Sequence, residues 1–105
     1  VQTRRYRETL ARAFPPGTRI SEPAGGYVLW VEMAPEVNAF ELQAEALDRG
    51  IAVAPGPIFS ARGAFTSTIR VSSTLRHGPR VEQALETVGV LAARQIERRG
   101  RLDVA

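Results

Sequence analysis

The chain has 105 residues, enough for one compact core, since a domain of this size buries roughly 60 to 70% of the surface that its unfolded form exposes. Apolar residues make up 44% and charged residues 24%; no apolar run approaches the roughly 18 residues of a spanning helix and no leader pattern opens the chain, so disordered, fibrous and membrane-spanning classes are excluded and a soluble, cytoplasmic protein is expected. There is no cysteine for a disulfide, a thiolate metal site or a catalytic thiol; the net charge of +3 is modest, and all 14 basic residues are arginine, so the chain has no side-chain amine for a Schiff base.

From Gln2 to Phe14, the stripe Tyr6, Leu10, Ala13 and Phe14 predicts a helix that Pro15-Pro16-Gly17 stops. Residues 1–14 look like the end of an incoming helix, and the lack of an initial methionine supports a piece of a longer chain. Arg19 to Glu22 is a short strand candidate that pairs through the turn Pro23 to Gly26 with the apolar run "YVLWVEM", Tyr27 to Met33, expected to be central and covered on both faces. Asn38 suits a helix cap, with Glu41 in capping-box position and Val37 and Leu42 placed for a hydrophobic staple. In this helix Phe40, Ala44 and Leu47 are the expected inward stripe, and Gly50 the stop. A strand "IAVA", Ile51 to Ala54, runs into the stiff bend Pro55-Gly56-Pro57, and the strand Thr66 to Ser73 follows. Pro79 then starts the longest helix, with Val81, Ala84, Leu85, Val88, Leu91, Ala92 and Ile96 in helical period up to Gly100. This order implies a single domain over residues 1–105, an α/β two-layer sandwich: a small mixed sheet with helices mainly on one face.

Few residues suggest chemistry. His77 stands alone before a helix start, with no second histidine for a metal, and reads as a loop histidine without a role. Glu41 with Glu45, and Glu82 with Glu86, have helical spacing and read as solvated faces; the arginine clusters near both ends lack the interleaved aromatics of a nucleic-acid surface. Gly25 and Gly26 precede a buried strand without the dinucleotide-binding glycine pattern, which suggests a turn that something approaches closely. The bend at Pro55 and Gly56 follows the C-terminal end of a strand, where α/β proteins tend to place ligands. Arg70 is the anomaly: in "TSTIRVS" it shares a face with Thr68 and Ser72, while Ile69 and Val71 enter the other. A half-buried guanidinium needs a partner. That partner is either internal, Glu32 or water at an exposed sheet edge, or the carboxylate of a ligand, which arginine's planar fork suits.

The ordered set "GGYVLWVEM", "AFELQAEALDRG", "IAVAPGPIFS", Gly63, "TIRVS" and the long closing helix resembles the C-terminal small domain of fold-type I, class I/II aminotransferases, over about Arg5 to Gln95. Within that superfamily, "GIAVAPGPIFSARGAF" is most similar to the aminotransferase-like module of GntR-family, MocR-type transcriptional regulators. The resemblance implies that Arg70 binds the carboxylate of an amino-acid effector or substrate, and that Gly25, Gly26, Pro55 and Gly56 line the cleft. It implies pyridoxal phosphate as the parent's cofactor, attached through a lysine of a large domain and not covalently here, with no metal and no catalytic residue in this chain. The implied partners are that large domain, an amino acid or related effector, DNA through an N-terminal winged-helix domain, and a second copy in a parent homodimer. The alternatives are the small domain of an aminotransferase enzyme and a stand-alone α/β interaction module in which Arg70 is structural.

Overall fold

The structure, a computed structural model, describes residues 2–22, 28–60, 62, 64–73 and 76–104. Helix α1 (Gln2–Ala13) leads into β1 (Arg19–Ser21) and β2 (Val28–Glu32). Helix α2 (Ala39–Leu47) is followed by the two-residue β3 (Ala54–Pro55) and a 3-10 turn (Gly56–Phe59). β4 (Thr68–Ser72) and the long α3 (Pro79–Val104) complete the fold.

The sheet order is β1-β2-β4-β3, and the helices pack on one face of it, the two-layer α/β sandwich that the pattern implies. Its ladders are all antiparallel rather than mixed. β2 and β3 do run parallel across α2, but β4 inserts between them and pairs antiparallel with both.

Side-chain alternation then decides the layers. Leu29, Val31 and Ile69 are fully buried and Val71 nearly so, against Tyr6, Leu10 and Phe14 of α1, Leu42 and Ala46 of α2, and Leu85, Val88, Leu91 and Ala92 of α3. Each large side chain so buried contributes about 1.5–3 kcal/mol. Val28 and Trp30, on the other face, are only half-buried, so β2 is central but not covered equally on both sides.

Local signals place the helix ends well. α1 stops where expected, with Gly17 in the left-handed region at φ +91° and Thr18 donating its backbone N–H and its hydroxyl to the Pro15 carbonyl. Asn38 caps α2, its Oδ1 accepting from Glu41 N–H at 3.0 Å, and Gly50 at φ +75° closes the other end while Ile51 N–H reaches back to Ala46 O. α3 passes through Gly100 to Val104: a glycine in a helix costs about 1 kcal/mol and does not by itself stop one.

Two expectations fail at non-local contacts. Ala39, Leu42 and Ala46 are the inward stripe of α2, whereas Phe40 and Leu47 are 50% and 62% exposed. Both stripes fit the helical period. The helix is rotated toward the alanine face by two anchors at its start: Asn38 N–H donates to Gln95 Oε1 at 2.7 Å, and Ala39 N–H donates to Thr66 O at 2.8 Å. Likewise Ile51 to Val53 is not strand; only Ala54 and Pro55 pair with β4. Pro55 is tolerated there because β3 is an edge strand.

Candidate functional site

Arg70 lies in the middle of β4, an inner strand, so it is not a guanidinium at a sheet edge. In register it faces Trp30 on one side and Ala54 on the other, and Trp30 in turn faces Ser21, so one row of side chains crosses all four strands. That row is on the face turned away from the helices, since Leu29, Val31, Ile69 and Val71 occupy the other. Arg70 is half-buried. Glu32, the internal partner weighed for it, is exposed and stands opposite Thr68, one position along on the same face. Directly opposed residues of antiparallel strands hold their Cβ atoms about 4.5–5.5 Å apart, so the Arg70 and Trp30 side chains leave the sheet as neighbours. Arg70 thus carries a permanently charged planar fork with five N–H donors on an inner strand.

The bend after β3 packs beside this row. Pro55 is fully buried in the ladder opposite Ile69. Gly56 has no room for a side chain: a Cβ there would stand 2.7 Å from both the Phe65 and Thr68 carbonyl oxygens. Close packing is therefore what this glycine provides. The loop that it accommodates carries Phe65 at φ +64°, the left-handed region, and such a conformation in a bulky residue costs on the order of 1–3 kcal/mol. The Phe65 ring packs on Trp30 with centroids 5.5 Å apart and planes at 57°. Trp30 and Phe65 thus stand next to the candidate site without a signal in the pattern of the chain, because register and loop conformation leave no periodic trace. Gly25 and Gly26 lie outside the described residues.

The other candidates are structural. His77, expected to have no role, pins the segment before α3 to α1: Thr9 Oγ1 donates to Arg5 O at 3.0 Å, so its oxygen accepts from His77 Nε2 at 3.0 Å, and the imidazole meets Tyr6 edge to face. Each carboxylate pair meets arginine. Arg12 bridges Glu82 at 2.6 Å and Glu86 at 3.0 Å, which together hold its pKa above the ordinary value, the Glu86 hydrogen bond contributing most. Glu41 pairs with Arg99 and Glu45 with Arg98, so part of the C-terminal arginine cluster is engaged with α2. Gln95, a further residue without a sequence signal, is fully buried and donates from Nε2 to Glu45 Oε1 at 3.0 Å while serving the α2 cap. An apolar cleft of about 390 Å³ lies on the helix side of the sheet, among Tyr6, Ile51, Val53, Val71, Val81 and Leu85. Among the described residues no three His, Asp or Glu side chains gather as a metal-binding group, and no helix is long and apolar enough to cross a membrane.

No family model matches the chain. Among curated proteins it is 33% identical over 84 residues to the HTH-type transcriptional regulator YdcR of Escherichia coli, and 31% identical over 84 residues to the regulator YjiR of the same organism. In each case 80% of this chain matches 18% of the relative, so the chain spans less than a fifth of their length. Among solved structures, a multiple substrate aminotransferase from Thermococcus profundus superposes with a TM-score of 0.81 at 18% identity, over 92% of this chain and 24% of that one. LysN, the α-aminoadipate aminotransferase of Thermus thermophilus, solved with N-(5'-phosphopyridoxyl)-L-leucine, superposes with a TM-score of 0.79 at 24% identity, over 91% of this chain and 25% of its own. The homologues of this chain thus include HTH-type transcriptional regulators and, at 35% identity over 63 residues, the 2-aminoadipate transaminase of Thermus thermophilus, of which it spans 16%, and its fold is that of the small domain of aminotransferases.

Proposed function

We propose that this chain is the small lobe of the effector-sensing, aminotransferase-like domain of a GntR/MocR-type DNA-binding regulator, and that Arg70 holds the carboxylate of an amino-acid effector. The observation that carries the reading is the mounting of Arg70 at the centre of an inner strand, on the face turned away from the helices. A guanidinium fork in that place suits a planar carboxylate arriving from outside the domain. The longer matches to two HTH-type regulators, 84 residues each, support sensing, and the 63-residue match to a 2-aminoadipate transaminase keeps turnover as the second reading.

Pyridoxal phosphate, when bound in the parent protein, supplies electrophilic attachment for an amino group and an electron sink. The chain has no lysine to attach it, and its own residues suit the opposite end of the effector. Arg70 binds and orients the carboxylate from its place between Trp30 and Ala54 in the row. Closure of this lobe over the bound amino acid then changes how the parent dimer presents its N-terminal DNA-binding domains. Pro55 and Gly56 hold the bend beside this row.

The test is Arg70→Ala in the full-length protein. Loss of a charge-assisted hydrogen-bonded pair should shift the amino-acid titration of DNA affinity by roughly tenfold to a hundredfold, with cofactor absorbance unchanged. An unshifted titration removes the reason for assigning Arg70 this role. The second reading, an aminotransferase enzyme, is favoured by the aminotransferase structural neighbours. Steady conversion of an amino acid to its keto acid by the full-length protein, with no effect on DNA affinity, would decide for it.

A further inference from the structure

Phe65 is twice misplaced for a residue that serves only the fold. It is the one non-glycine residue with positive φ among the described residues, a conformation that glycine or asparagine adopts more cheaply, and its side chain is 51% exposed. Yet its position is firmly built. Gly56 gives up its own side chain to let the Phe65 backbone approach, Thr68 N–H donates to Phe65 O at 3.1 Å, and the ring rests on Trp30. Trp30 is the residue directly across the ladder from Arg70.

We infer that Phe65, backed by Trp30, is the wall that selects the effector's side chain, and that the effector is an amino acid with a large apolar side chain. This rests on the carboxylate role of Arg70. The Phe65 ring on Trp30 is the aromatic surface next to Arg70, within reach of the side chain of an amino acid whose carboxylate the Arg70 fork holds. Glu32, exposed on the same face beyond Trp30, disfavours an acidic side chain there. Phe65 and Trp30 act by binding and exclusion, and neither moves a proton.

The test is calorimetric titration of the full-length, cofactor-loaded protein with L-alanine, L-leucine, L-phenylalanine and L-glutamate. The unaltered protein should bind L-leucine and L-phenylalanine at least about tenfold tighter than the other two, the scale on which apolar pockets discriminate. Phe65→Ala should erase most of that preference while leaving L-alanine affinity nearly unchanged, and Phe65→Leu should keep much of it. Equal weakening for all four amino acids in Phe65→Ala, or an unaltered protein that prefers L-glutamate or L-alanine, overturns the inference. Arg70→Ala separates the two levels. If it weakens every amino acid alike while Phe65→Ala shows no side-chain dependence, the carboxylate reading stands and the selectivity wall falls. If the unaltered protein binds none of the four, both fall.

Discussion

At Gly89 the backbones of α1 and α3 meet so closely that a Cβ would run into the carbonyl oxygen of Ala13. In an isolated helix Gly→Ala stabilises by about 1 kcal/mol. Here the overlap should reverse the sign, so Gly89→Ala is expected to lower stability by about 1–3 kcal/mol, read as a lower urea midpoint at unchanged slope. A raised midpoint would mean that the two helices part without cost. Tyr6 allows a test by pH. Its side chain is 2% exposed, and burial raises the phenol pKa above 10.0. The unfolded phenol therefore ionises first, so stability is intact below about pH 10 and falls as pH rises through the folded value. No lysine or cysteine titrates in that window, so melts above about pH 9 should show a shallower decline for Tyr6→Phe than for the unaltered chain. Legibility at this scale was uneven for a physical reason. Arg70 is conspicuous because a charge breaks the alternation of a strand, whereas Gly89 and Phe65 are not, because a sequence carries no distance between helices and no loop dihedral.

In α2 the local signals and the tertiary ones separate cleanly. The Asn38 cap was legible because it involves residues three apart. The other half of the expected capping box was not, since the Asn38 N–H goes to Gln95, 57 positions along, rather than to the Glu41 side chain. That same long-range bond helps to set which stripe of the helix turns inward. Leu42, fully buried, should cost about 2–5 kcal/mol on truncation to Ala. Leu47, 62% exposed, should cost no more than about 0.5 kcal/mol. Equal losses in parallel denaturation curves would restore Phe40, Ala44 and Leu47 as the inward stripe.

Across the whole molecule, the α/β sandwich was readable from the order of helix and strand patterns, but the insertion of β4 between β2 and β3 was not. Periodicity assigns each strand a face and leaves its neighbours open. That one topological step is what carries Arg70 from a possible edge to the centre of the sheet, with Trp30 and Ala54 on either side. The homologous regulators are more than five times as long as the matched segment, and this chain contains no lysine. The most direct measurement is calorimetric titration of the full-length, cofactor-loaded protein with L-leucine and with its amide, which lacks the carboxylate, for the unaltered chain and for Arg70→Ala. A carboxylate site at Arg70 predicts that the unaltered protein prefers L-leucine by roughly tenfold or more, and that Arg70→Ala binds both ligands equally weakly. The same preference for L-leucine in both proteins would contradict it.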